Sequence, residues 1–132
     1  MVQFGRKGER GNRTFKKTAV WMRSEDPTLI WTGGLRELHY VYGSLRVISA
    51  SRPRNGQHPL AGHDLSYEER CAVGAVDAFE WLAERGHHRR DAARLAREAQ
   101  TLADALAAKD FDTIVETCNL IATDLESLGV PI

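Results

Sequence analysis

In the second half of the chain, apolar residues recur every three or four positions, a spacing that places them on one face of a helix. Three such segments follow one another within residues 65–129. They predict three helices with the apolar stripes Ala72, Ala75, Val76, Phe79, Leu82 and Ala83; Ala92, Leu95, Ala99, Leu102, Ala103 and Leu106; and Phe111, Ile114, Val115, Cys118, Ile121, Ala122, Leu125 and Leu128.

Residues with known preferences for helix ends flank these segments. Ser66 and Glu69 have the spacing of a capping box, and Asp110 suits the N-cap of the last helix. Gly86 and Gly129 suit the C-terminal ends of the first and third helices. Because connections of three or four residues join antiparallel neighbours, we expect a compact three-helix unit.

Residues 18–50 have a different pattern, in which short β-branched and aromatic runs alternate with turn formers. Gly43-Ser44 is the sharpest turn signal, because a two-residue loop with glycine first suits a type II′ hairpin. In the strand before it, Leu38, Tyr40 and Tyr42 share one face. We expect an antiparallel β-meander of three or four strands, at 18–23, 28–32, 36–42 and 45–50, with turns at 24–27 and Gly33-Gly34.

The two remaining segments have neither period. Residues 1–17 combine glycines and basic residues with little apolar surface, so we expect a flexible basic arm. Residues 51–64 contain two prolines, two glycines and an Asn-Gly pair, which is the composition of a loop. The fold predicted is therefore α+β: the arm, then a single domain over 18–132 in which the meander precedes the three helices.

Charge is divided between the two halves of the chain. Residues 1–60 contain eleven Lys and Arg against four Asp and Glu, whereas residues 61–132 contain seven against fourteen. The net charge of zero therefore conceals a basic front half and an acidic back half. Such asymmetry indicates an interaction surface, so we expect the basic half to bind an anionic partner.

The basic residues of the first half are interleaved with aromatic ones. Cations bind phosphates with release of counterions and flat rings stack on unpaired bases, so this combination is typical of nucleic-acid binding. In the plainer interpretation, the aromatic residues form the core of the sheet and the arginines its solvated face. The expectation is a non-catalytic binding protein of bacterial or phage origin that contacts nucleic acid or an acidic protein surface through Arg6, Lys7, Arg10, Arg13, Lys16, Lys17, Trp21, Trp31, Arg52 and Arg54.

The alternative is a protein–protein inhibitor, adaptor or assembly subunit that acts through the first of the three helices. Trp81 falls nearly opposite the apolar stripe of that helix, with Gly74, Ala78 and Cys71 on the same side. A helix with a second apolar face packs against something there, which is the meander in one interpretation and a homo-oligomer or partner interface in the other.

Signals for catalysis or metal binding are weak. The chain has no GxSxG, no GxxxxGK[ST] and no CxxC or HxxxH pair. The His63-Asp64 pair, near Ser66 and Glu69, is the one arrangement suited to acid–base chemistry, and it suggests a small phosphodiesterase-like enzyme as a minority alternative. A metal site would need His58, His63 and a cysteine. We predict no enzymatic activity, no cofactor and no metal site; caps and loop structure explain Asp64, Ser66 and Glu69, and core positions explain Cys71 and Cys118.

No apolar stretch of signal-peptide length occurs in the first twenty residues. The longest near-apolar run, residues 71–76, is far shorter than a bilayer requires. We therefore expect a cytoplasmic protein that does not bind membranes.

Overall fold

A computed structural model describes residues 20–51 and 56–131, and for Val20 and Trp21 it describes the backbone alone. No strand occurs among these residues, so the predicted α+β fold is wrong and the described part of the chain is all-helical. The elements are a one-turn helix, α1 (Val20–Arg23), and four longer ones, α2 (Pro27–Ser49), α3 (Ser66–Glu84), α4 (Arg89–Ala108) and α5 (Phe111–Ser127).

The described residues of the segment predicted to form the β-meander fold instead as α1 and α2. Asp26 is the N-cap of α2, and its Oδ1 accepts hydrogen bonds from the backbone N–H of Thr28 at 2.9 Å and of Leu29 at 3.4 Å. Pro27 occupies the first helical position, where its missing N–H costs nothing. The turn formers at 24–27 therefore mark the start of a helix and not a link between strands.

Burial along α2 has the helical period. Leu38, Val41 and Leu45 are almost completely buried, whereas Tyr40 is 47% exposed, so the alternation that suggested a strand does not define one face. Gly43, predicted to lie in a hairpin turn, is within the helix. Aromatic and β-branched residues favour strands only weakly, and burial against the other helices overrides that preference.

The three helices predicted in the second half are confirmed as α3, α4 and α5. The predicted capping box is wrong, because Leu65 is the N-cap of α3 and the backbone N–H of Ser66 donates to Asp64 Oδ1 at 3.0 Å. The N-cap role of Asp110 is confirmed by a hydrogen bond of 3.3 Å from the N–H of Thr113 to Asp110 Oδ1.

The four long helices form an up-down-up-down bundle, in which α2 packs on α3 and α5, and α4 packs on the same two helices. One end of the bundle holds the α3–α4 connection, the N-terminus of α2 and the C-terminus of α5; we call it the turn end. The opposite end holds residues 56–65 and the α4–α5 connection; we call it the loop end. None of the described helices combines the length and apolar character needed to cross a membrane.

The core is centred on α3, whose residues 71–79 are all buried. Its largest buried side chain, Phe79, packs directly against α2 at Gly34. A Cβ at Gly34 would lie 2.8 Å from Phe79 Cζ and 3.2 Å from the Cβ of Ala78, so this glycine allows the two helices to approach closely.

Candidate partner-binding surface

Most of the predicted partner-binding residues lie outside the described part of the chain. This applies to Arg6, Lys7, Arg10, Arg13, Lys16, Lys17, Arg52 and Arg54. Trp21 belongs to α1, but its side chain is also outside the described part. Trp31 and Trp81 can be placed, and both lie near the turn end.

Trp31 is half-buried where α2, α3 and the start of α4 meet. Its ring meets the edge of Phe79, with ring centroids 5.7 Å apart and 81° between the planes. The imidazole of His88 lies parallel to the indole, with centroids 3.9 Å apart. One face of the Trp31 indole is therefore covered by His88, and it is the imidazole of His88 that is exposed to solvent here.

Trp81 lies on the outer side of α3 and is partly buried against the core. The meander expected to cover it does not exist among the described residues. Instead the guanidinium carbon of Arg85 lies 4.2 Å from the centroid of the ring, and Arg85 Nη1 donates to the carbonyl oxygen of Trp81 at 3.1 Å. This cation–π contact leaves less of the indole for a partner than the sequence suggested.

The groups that cover both indoles come from one exposed segment. We call residues 85–90 the basic turn; it comprises Arg85, Gly86, His87, His88, Arg89 and Arg90, all of them exposed. The imidazole of His87 also lies nearly parallel to Trp81, at 6.3 Å between centroids. The bundle therefore gathers three arginines and two histidines at the turn end, two of them in close contact with tryptophan.

Two residues of the basic turn have left-handed backbone conformations. Gly86 has φ 79° and His88 has φ 49°. At the end of α3, the N–H of His87 donates to the carbonyl of Leu82 at 2.9 Å. At the start of α4, the carbonyl of His88 accepts a hydrogen bond from the N–H of Ala92 at 2.7 Å. Glycine adopts a positive φ freely, whereas histidine does so at a cost of about 1 kcal/mol. The stack on Trp31 offsets this cost.

The cations of the basic turn are only lightly neutralised. Arg85 lies 3.6 Å from Glu84 with both side chains exposed, a contact worth little in water. No ion pair joins Arg89 or Arg90 to another described residue. Since His88 stacks on Trp31, its side chain does not cap α4, and the positive end of that helix adds to the local field.

Two carboxylates near the basic turn, those of Asp91 and Asp124, form ion pairs with Arg94. Arg94 Nη2 lies 2.9 Å from Asp91 Oδ1, and Arg94 Nε lies 3.3 Å from Asp124 Oδ2. Arg94 therefore pairs with both carboxylates, so neither Asp91 nor Asp124 forms an ion pair with a cation of the basic turn.

A carboxyl pair joins α4 to α5 at this level. Glu98 and Asp124 face each other, and burial, together with a hydrogen bond to Asp124, raises the pKa of Glu98 from its usual 4.5 to about 8. Glu98 Oε1 and Asp124 Oδ2 are buried and accept no hydrogen bond from a described residue. A proton on Glu98 supplies the donor that two carboxylates lack, so the pair holds one proton at neutral pH.

At the loop end, a cavity of about 430 Å³ contains the residues of the enzyme alternative. Its lining includes His63, Asp64, Glu69 and Lys109. Hydrogen bonds from the hydroxyl and the N–H of Ser66 lower the pKa of Asp64, so this carboxylate is held charged in its turn. The arrangement gives Asp64 a structural role and does not prepare it as a general acid.

His58 and the cysteines have packing roles. His58 Nδ1 accepts a hydrogen bond of 3.1 Å from the N–H of Leu60, and its ring stacks on Phe111 at 5.2 Å. Cys71 and Cys118 are buried, and burial raises the pKa of each thiol to about 12. Within the described ranges, no group of three or more His, Cys, Asp or Glu side chains could hold a metal ion.

The basic turn does not stand out in the sequence, because its cations lie in the acidic half of the chain and interrupt a run of negative charge. The available signal was the run RGHHRR between two predicted helices. Comparison with protein families found no family model that matches the chain. Comparisons with curated proteins and with solved structures likewise found no match.

Proposed function

We propose that the protein binds single-stranded nucleic acid at the turn end of the bundle. The basic turn forms the folded part of the contact surface, and the cations of residues 1–17 add to it. One observation carries the proposal: the α3–α4 connection presents arginine and histidine side chains that rest on two tryptophans, Trp31 and Trp81.

Phosphates would be held by Arg89 and Arg90, whose charges no described acidic group pairs with. Arginine suits this role because its guanidinium is always charged and presents a fork of donors to phosphate oxygens. Phosphate contacts set affinity without reading sequence, so we expect little preference among sequences.

Unpaired bases would stack on His88 and Arg85. Each planar group lies against an indole on its inner side, and both residues are exposed to solvent. Bases stack on imidazole and guanidinium planes as they do on aromatic rings, and groups already held in place lose less entropy on binding. A duplex hides its base faces, which is why a single strand is favoured.

The test is the binding of fluorescently labelled single strands, duplexes and an acidic peptide, measured by anisotropy as salt is raised from a low concentration. The single strand should bind most tightly, with affinity that falls steeply with salt. Replacing both Arg89 and Arg90 with alanine should reduce the slope of log K against log salt by about 2. The matched control removes two exposed cations elsewhere, Arg46→Ala with Arg97→Ala, and should bind as the wild type does.

A second variant separates the two contributions. Deletion of residues 1–17 should weaken binding without lowering the melting temperature if the segment supplies cations alone. If the acidic peptide binds more tightly than both nucleic acids, the partner is an acidic protein and not a nucleic acid. Failure of all three probes to bind at low salt would contradict the proposal.

A further inference from the structure

The outward face of α2 is apolar at positions where a solvated helix is normally polar. Five large apolar side chains of the described residues are exposed, and Leu29, Tyr40 and Val47 of α2 are three of them. A fourth, Tyr67 of α3, stands edge-on to Tyr40 with ring centroids 5.5 Å apart. The fifth, Leu120, lies apart on α5.

The exposed apolar residues of α2 lie on one line along the helix. At about 100° per residue, this line and its neighbours fall within a sector of roughly 80°, opposite the buried Leu38 and Leu45. We call this line the outer stripe; it consists of the exposed Leu29, Arg36, Tyr40 and Val47, the partly exposed Gly43, and Gly33, which is buried. Steps of three and four residues along one helix face are the pattern by which one helix packs on another.

The outer stripe is symmetric about the level of Leu38. Leu29 and Val47 each lie nine residues from that level, and both are apolar. Gly33 and Gly43 each lie five residues from it, and both lack a side chain. Arg36 and Tyr40 lie two residues from it, one cationic and the other aromatic. If a second copy of α2 lies antiparallel to the first and level with it at Leu38, each stripe residue therefore lies opposite one that complements it.

We infer that two copies of the chain associate through α2, antiparallel, about a two-fold axis at the level of Leu38. Leu29 then packs on Val47 of the partner subunit, Gly33 lies level with the partner's Gly43, and Arg36 lies over the ring of the partner's Tyr40. A two-fold axis repeats each of these contacts, so the three pairings together describe the whole interface.

The chemistry of the stripe supports close contact between two helices. A Cβ at Gly43 would meet nothing within 4 Å, so open space lies above this glycine for the backbone of a second helix. A hollow of about 280 Å³ lies beside the stripe, lined by Leu29, Thr32, Gly33, Arg36 and Glu37. Arginine over a tyrosine face is an attractive cation–π pair, whereas a parallel arrangement would oppose Arg36 to its own copy.

Sedimentation velocity over a wide range of protein concentration tests the association. The wild type should pass from monomer to dimer as concentration rises. Val47→Glu and Leu29→Glu should each shift the chain to monomer. Each substitution occurs twice in the dimer and so places a buried charge at both ends of the interface. Both side chains are exposed, so the fold should persist, and circular dichroism checks this. The matched control, Leu120→Glu, changes a leucine outside the stripe whose exposure, 57%, lies between those of Leu29 and Val47, and it should dimerise as the wild type does.

Cysteine cross-linking tests the orientation. Leu29 and Val47 are 18 residues apart in sequence, which is about 27 Å along a helix. A mixture of Leu29→Cys and Val47→Cys proteins should therefore form a disulfide-linked heterodimer under mild oxidation, while either variant alone should not cross-link. Cys71 and Cys118 are buried and should stay reduced. A chain that is monomeric at every concentration, or a Leu29→Cys protein that cross-links to itself, would overturn the inference. Neither result bears on nucleic-acid binding by the turn end.

Discussion

The imidazole of His88 and the indole of Trp31 lie parallel, with 10° between their planes and 3.9 Å between their centroids. The contact joins the residue that opens α4 to the second turn of α2, two positions far apart in the sequence. His88 is held there at φ 49°, a conformation that histidine adopts infrequently. The basic turn is therefore anchored to the bundle by a ring contact.

Replacing His88 with alanine should lower the free energy of unfolding by about 1 to 2 kcal/mol, because alanine loses the stack and keeps the unfavourable φ. Urea denaturation measures the change. His88→Gly should cost less than His88→Ala, since glycine adopts a positive φ without penalty. His87→Ala is the control, with an expected change within about 0.5 kcal/mol. Equal stability of His88→Ala and wild type would show that the stack does not anchor the turn.

Two glycines of α2 should respond in opposite ways to the same substitution. Gly34→Ala places a methyl group 2.8 Å from Phe79 Cζ in a filled core, so it should lower stability by about 1 to 3 kcal/mol despite the better helix propensity of alanine. Gly43→Ala meets nothing within 4 Å and should raise stability by about 0.5 to 1 kcal/mol. Both are measured by thermal unfolding at a concentration low enough to keep the chain monomeric. Stabilisation by Gly34→Ala would contradict the close approach of α2 and α3.

The Glu98–Asp124 pair should make stability depend on pH. The pKa of Glu98 is raised from 4.5 to about 8, so between these values the folded chain binds more protons than the unfolded chain. Stability from this pair is therefore complete below pH 4.5 and declines as pH rises toward about 8. Because Glu98 is partly exposed, we expect a loss of only about 1 kcal/mol across this window.

Glu98→Gln isolates this effect, since glutamine is neutral at every pH and its amide can donate to Asp124. The stability of this variant relative to the wild type should rise between pH 5 and pH 8, as measured by urea unfolding at several pH values. Glu116→Gln, an exposed change on α5, should show no such trend. A constant difference between Glu98→Gln and the wild type would mean that Glu98 carries no proton at neutral pH.

The sequence predicted α3, α4 and α5 because their apolar stripes repeat over several turns. It failed over 18–50, where Gly33, Gly34 and Gly43 resembled turns and the tyrosines resembled a strand. The glycines permit contacts that only the assembled bundle reveals, such as that of Gly34 with Phe79. Asp26 followed by Pro27 was the overlooked signal for a helix start.

The candidate surface was harder to predict for a different reason. The sequence placed the cations of interest in residues 1–60, where an excess of charge is visible in composition. The basic turn is instead defined by contacts in the folded chain, in which His88 lies against Trp31 and Arg85 against Trp81. Stacking between residues distant in sequence has no local pattern that periodicity or charge counting could detect.

The order of contacts in the bundle also determines how the chain can fold. Helices α3, α4 and α5 are joined by short connections and pack on their neighbours in sequence, so their contacts require little loop closure. The contact between α2 and α5 instead joins the first and the last of the four long helices in the sequence. We expect α3 to α5 to assemble early and α2 to dock last, so the helix that carries the outer stripe completes the native state.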